Sequence, residues 1–71
     1  MKITYDPEVD ALYIQFMQAQ AITEHISEGI AIDYDDKGRV VGIEILDFVK
    51  RFGSDEPLRN LTFETLTKPK T

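Results

Sequence analysis

Apolar side chains fall on every second position in the central part of the chain. In residues 29–47, GIAIDYDDKGRVVGIEILD, Ile30 and Ile32 alternate with Ala31 and Asp33, and Val41, Ile43 and Ile45 alternate with Val40, Gly42 and Glu44. Successive side chains of a strand point to opposite faces, so each run carries one apolar face. Between the runs sits Asp35-Asp36-Lys37-Gly38, a turn cluster with Gly where a positive φ is least costly. The pattern predicts a β-hairpin whose type I turn is closed by Gly38 in the left-handed region.

The same period recurs upstream. Residues 2–5 put Ile3 and Tyr5 on one face of a short first strand. Asp6-Pro7-Glu8-Val9-Asp10 breaks it: Pro7 fixes its own φ and biases Asp6 away from the helical region. Asp6 is placed to accept the N–H two residues on. In residues 11–17, ALYIQFM, Leu12, Ile14 and Phe16 share one parity and Tyr13, Gln15 and Met17 the other. Leu, Gln, Met and Ala also form good helices. The alternation and the β-branched and aromatic content favour a second strand, antiparallel to the first. Residues 21–26 read as a third strand, interrupted by Ser27-Glu28-Gly29 as a bend or bulge.

Downstream the period is less clear. Residues 46–52 either close the last strand or form one short helical turn. After the break at Gly53-Ser54-Asp55-Glu56-Pro57, residues 60–67 place Leu61 and Phe63 on one face and predict a sixth, edge strand. The competing reading is a helix capped at Ser54 or Asp55, with Pro57 in its first turn, running through Leu58, Leu61 and Phe63. Residues 68–71 read as a frayed tail.

The expected fold is therefore mainly β, with α+β as its variant. A single small domain spans residues 1–71: an antiparallel β-meander of four to six strands with a short helical turn or edge strand near the C-terminus. Residues 1–50 hold the meander and 51–71 a C-terminal extension. Ile3, Leu12, Ile14, Phe16, Ile30, Ile32, Val41, Ile43 and Ile45 are the expected core.

Length makes that core marginal. Chains near 71 residues bury roughly 60% of their unfolded surface. There is no cysteine, hence neither a disulfide nor a thiolate metal site. Small β proteins without such staples gain core by oligomerising, so a homodimer or larger homo-oligomer is expected. Tyr and Met are enriched in interface cores. Tyr13 and Met17, with Leu58, Leu61, Phe63 and Leu66 beyond the break, are the candidate contact surface.

The net charge of −5 is unevenly placed: −7 over residues 1–47 (ten acids, three bases) and +2 over residues 48–71 (five bases, three acids). An acidic body argues against nucleic acid as a partner and suits a basic protein partner. The N-terminus turns acidic where an apolar signal core would begin, and no apolar run approaches the roughly 20 residues of a membrane span. A soluble, cytoplasmic protein without membrane association is expected.

Candidate chemistry is sparse. Asp33-x-Asp35-x-Lys37-Gly38-x5-Glu44 aligns with the first, third, sixth and twelfth places of an EF-hand loop. Lys37 puts a cation at the fifth, where an oxygen is needed, and the flanks alternate like strands instead of helices. Carboxylates at a turn tip are screened by water, whereas acid–base pairs need a shared cleft. Asp6 and Asp10 flank a turn and suit backbone N–H bonds. His25, the only histidine, has neither a second imidazole nor a cysteine and reads as a surface strand residue. The four glycines are scattered, so no phosphate loop is present.

Tyr5-Asp6-Pro7, Asp10-Ala11-Leu12-Tyr13-Ile14, Gly29, Asp33-Tyr34-Asp35 and Gly38-Arg39-Val40-Val41-Gly42-Ile43-Glu44-Ile45-Leu46-Asp47 together resemble the small bacterial and archaeal family called domain of unknown function 2283. The resemblance covers residues 1–50. Family members commonly continue with Ala-Ser-Lys, where this chain has Phe48-Val49-Lys50, so the element after Asp47 departs from the pattern. The family carries no established activity, cofactor or catalytic residue. Some members resemble the antitoxin-side partner of small toxin-like proteins, which implies a protein-binding role. Read from the residues alone, Asp6 and Asp10 organise the first turn, Gly38 closes the second, and Gly42 allows close backbone approach.

Two functions follow. One is a non-catalytic protein–protein interaction module, antitoxin-like, without cofactor, metal or catalytic residue. The alternative is a small ligand-binding domain or enzyme using an acidic cluster around Asp33, Asp35 and Glu44, with His25.

Overall fold

Each run of alternation up to Leu46 becomes a paired strand. The computed structural model describes residues 1–67; the tail reading for residues 68–71 lies outside the described residues. In chain order the elements are β1 (Lys2–Asp6), β2 (Ala11–Gln15), β3 (Ile22–Ser27), β4 (Ile30–Tyr34), β5 (Val40–Leu46), α1 (Phe48–Phe52) and α2 (Glu56–Arg59). The five strands form one antiparallel sheet, which is the mainly β class expected.

The central hairpin joins β4 to β5. Gly38 has φ 79° and donates its N–H to the Asp35 carbonyl at 3.1 Å. The Asp35 carboxylate, almost fully buried, accepts the Lys37 N–H at 2.9 Å and the Arg39 N–H at 2.8 Å. Tight turns leave backbone donors without ladder partners, and here a side chain satisfies them.

The strand order is β1-β2-β5-β4-β3. Neighbours in sequence pair within β1-β2 and within β3-β4-β5, as a meander requires. Between these two units β2 pairs with β5, not with β3. The longest strand, β5, with buried Val41 and Gly42, takes the centre, where both its edges are hydrogen-bonded. β3 is exposed at every residue and takes an edge. Its register against β4 slips between His25 and Ser27. Such a bulge disfavours pairing with a further strand.

Register sorts the side chains into two faces. Ile3, Ile14, Ile43, Ile32 and Glu24 lie opposite one another across the sheet, as do Tyr5, Leu12, Ile45 and Ile30. This is the apolar face. Thr4, Tyr13, Glu44 and Ala31 form a row of the other face.

The C-terminal part differs from the leading expectation. Residues 60–67 form no strand; the helical alternative holds over α2 alone, with Asp55 at its N-cap and Pro57 in its first turn. The alternation of NLTFETLT is real, but a strand needs an edge to pair with, and this segment pairs with neither β1 nor β3. The short helical turn after the last strand is α1, which ends at Gly53 in the left-handed conformation.

The core is smaller than its pattern suggests. Buried apolar residues are Leu12, Ala31, Val41 and Phe48. Ile14, Ile30, Ile32, Ile43 and Ile45 are half-buried, and Ile3 and Phe16 are exposed. One short helical layer covers only part of the apolar face, which is why a correctly patterned strand residue remains open to water.

Candidate functional site

Three arrangements concentrate the chemistry of the molecule. The first crosses the polar face. Tyr13 on β2 reaches over β5 to β4, where its hydroxyl donates to Asp33 Oδ2 at 2.7 Å. Thr23 on β3 donates to Asp33 Oδ1 at 2.6 Å. The crossing is possible because the intervening residue is Gly42: a Cβ there would overlap the Tyr13 hydroxyl. Gly42 therefore makes room for a ring, where the sequence suggested only close backbone approach. The bond from Tyr13 to Asp33 pushes the phenol up to about 12, with desolvation adding to it. The Tyr13 proton is thus held at neutral pH, and the group acts as a fixed donor.

The second arrangement anchors α1. Asp10, a non-glycine residue at φ 54°, accepts the Tyr5 hydroxyl at 2.7 Å and the Val49 and Lys50 N–H groups at 2.8 and 3.2 Å. The free N–H groups at the helix start are satisfied by a residue from the other end of the chain, since the local N-cap, Asp47, makes no side-chain cap bond. The Tyr5 hydroxyl, with the Val49 and Lys50 amides, holds the Asp10 carboxyl below the usual carboxylate range. The reciprocal bond raises Tyr5 to about 12. At the far side of α1, Arg51 clamps two carbonyls, Leu46 at 2.7 Å and Glu28 at 2.6 Å, and packs where a Cβ on Gly29 would stand.

The third arrangement is an open groove of about 510 Å³ on the apolar face. Its floor is Ile3 and Tyr5 of β1, Leu12 and Ile14 of β2, and Ile45 of β5; its wall is Phe48, Pro57, Leu58 and Leu61. Phe48 stands between Tyr5 and Phe52, with ring centroids 6.3 and 4.9 Å away.

The candidate residues divide between these places. Leu58 and Leu61 line the groove, whereas Tyr13 sits on the opposite face and uses its hydroxyl on Asp33. Met17 is half-buried beyond the end of β2, and Phe63 and Leu66 are exposed. The structure does not bring Asp33, Asp35 and Glu44 together as ligands. Asp33 engages Tyr13 and Thr23, and Asp35 engages its own turn and the Arg39 guanidinium at 2.6 Å. Glu44 is exposed on β5, and among the described residues no group of three His, Cys, Asp or Glu side chains could hold a metal ion. His25 lies on the exposed edge strand β3. Asp6 accepts the Glu8 N–H at 3.0 Å, as expected from its turn. No helix among the described residues is long and apolar enough to cross a membrane.

Sequence reasoning missed Phe48 and Pro57 as groove walls and Asp10 as a helix cap. The departure from Ala-Ser-Lys at residues 48–50 was the available signal for Phe48. A long-range cap leaves none.

A family model described as a protein of unknown function (DUF2283) matches residues 2–48. An uncharacterized protein of Methanocaldococcus jannaschii is 41% identical over 71 residues, an alignment that covers 96% of this chain and 61% of the relative. The chain thus spans about three fifths of the length of that relative. No solved structure matches it. The family match covers β1 through β5, and with it the Tyr13–Asp33 crossing and Asp10, so the chain belongs to the DUF2283 family.

Proposed function

We propose that this chain is a non-catalytic protein–protein interaction module that takes an apolar segment of a partner into the groove between the sheet and its two short helices. The observation that carries the reading is the groove itself: nine lining residues of which none is charged, on a sheet face whose isoleucines stay half-open. Three carboxylates that could serve chemistry, Asp10, Asp33 and Asp35, are engaged elsewhere in hydrogen bonds that hold the fold. The acidic charge of residues 1–47 favours a partner with basic flanks and would speed its approach. An antitoxin-like role, in which a small acidic protein occupies a basic partner, fits that chemistry.

Affinity capture from the native cell tests the reading, with the wild type compared against Ile3→Asp. Ile3 is 38% exposed on the groove floor, so the substitution changes the surface more than the core. A protein enriched by the wild type and lost with Ile3→Asp is the expected result. Enrichment that ignores the substitution places the contact elsewhere and overturns the reading.

A further inference from the structure

We propose that, when no other partner is bound, the groove is filled by residues 62–67 of a second copy of this chain, each copy giving its arm to the other. The proposal rests on the interaction reading and names the occupant. A compact monomer of 8.1 kDa exposes about 4,500 Å², whereas this chain exposes 6041 Å². Its Cα radius of gyration is 14.6 Å, against about 11 Å for a compact domain of this length. The excess of roughly 1,500 Å² is larger than the 800 Å² or so that each partner gives to a standard interface.

The location of the excess selects the occupant. Leu58 of α2 and Leu61 just beyond it fix the root of the arm on the groove wall. Phe63 and Leu66 are 80% and 79% exposed and Leu61 71%, three large apolar side chains within six residues that face water. The far half of the apolar face is open as well, with Ile22 on β3 at 72%. Folding one's own arm back leaves that half uncovered, whereas a second sheet with its arm covers both. The match with the groove is apolar: residues 60–67 hold one charged side chain, Glu64, and the groove lining holds none. The arm therefore carries the apolar side chains that the groove would take. A two-fold axis makes the exchange closed and isologous.

Sedimentation of the full chain at micromolar concentration tests this, beside Phe63→Asp and Leu66→Asp. Both residues are exposed, so neither substitution threatens the fold of the single chain. The expected result is a species of twice 8.1 kDa, with a dimer dissociation constant raised by at least about tenfold in each variant. A single wild-type species near 8.1 kDa overturns the proposal. A dimer that both variants leave intact overturns it too, because the arm is then not the contact. If the wild type is monomeric yet still captures a partner through Ile3, only the second copy is refuted and the interaction reading survives.

Discussion

Asp10 and Val49 stand 39 residues apart, and the Asp10 carboxylate accepts the Val49 N–H at 2.8 Å. Val49 is in the first turn of α1, and Asp10 is the last residue before β2. One side chain therefore ties the first β-turn to the helix that walls the groove. The backbone repeats the tie, since the Phe48 N–H donates to the Asp10 carbonyl at 3.0 Å. Asp47 lies next to the β5 residue that pairs with Ala11, and it shares the left-handed φ of 54° with Asp10. Asp tolerates that conformation better than most residues.

Replacing Asp10 with Ala is expected to lower the melting temperature and loosen α1. Asp6→Ala should cost far less, because Asp6 accepts a single exposed bond. Asp10 is held below its ordinary value when folded, so its stabilisation is present above the unfolded carboxylate pKa. It is lost as pH falls through the folded value. Thermal melts of wild type and Asp10→Asn should differ at neutral pH and converge in acid. Equal melting at every pH removes the cap from the account.

Gly42→Ala is expected to destabilise the fold by about 1–3 kcal/mol, the usual cost of forcing atoms into a filled space. The new methyl would meet the Tyr13 ring and hydroxyl and, at 2.8 Å, the Ile14 carbonyl. Because part of the clash is with Tyr13, the double variant Gly42→Ala/Tyr13→Ala should lose less than the sum of the two single losses. Denaturant melts of the four proteins measure the coupling. Strict additivity means that Tyr13 does not lie across Gly42.

Tyr5 and Tyr13 both donate to carboxylates, and both are raised from 10.0 to about 12. A group whose folded pKa is raised contributes stability that is complete below its unfolded value and disappears as pH rises through the folded one. Stability should therefore be steady up to pH 10 and fall between pH 10 and about 12. Absorbance at tyrosinate wavelengths, followed beside melting, checks the order. Tyr5→Phe and Tyr13→Phe should each flatten the alkaline fall. An unchanged fall in both variants assigns it to other groups.

Local chemistry was legible in the sequence. The 35–38 turn needed only a carboxylate, a glycine and two alternating runs, all within twenty residues, and it formed as read. Pairings that span the chain were not. Nothing in β2 names β5 as its neighbour, because alternation specifies a face and leaves the partner open. Residues 60–67 alternate as well as β3 does, but their state depends on whether an edge is offered. Gly42 was visible as an odd residue within a strand, yet the ring that requires it comes from Tyr13 on β2, 29 positions earlier, and ends on Asp33. Tyr13 looked like a contact residue because its parity opposed the apolar one, and that parity became the polar face. The groove was legible in half: its floor follows from alternation, and its wall from a helix that only tertiary contacts define.

Calcium decides between the acidic turn as a ligand site and as a structural device. In the alignment with a calcium loop, Asp33, Asp35 and Glu44 would be ligands and Lys37 would stand where an oxygen belongs. In the fold both Asp33 oxygens accept hydroxyls, from Tyr13 and Thr23. Asp35 Oδ1 accepts two backbone N–H groups and Oδ2 the Arg39 guanidinium. Those donors hold the Asp35 carboxyl below its usual range, the Arg39 N–H most of all. Binding calcium would require breaking several of these bonds and displacing Arg39, and Glu44 lies in a ladder opposite Tyr13 and Ala31. Millimolar calcium is therefore expected to leave the melting temperature of the wild type unchanged, while Asp35→Ala lowers it with or without the ion. A saturable rise with calcium, abolished by both Asp33→Asn and Asp35→Ala, would make the turn a cation site and restore the acidic-cluster reading of this protein.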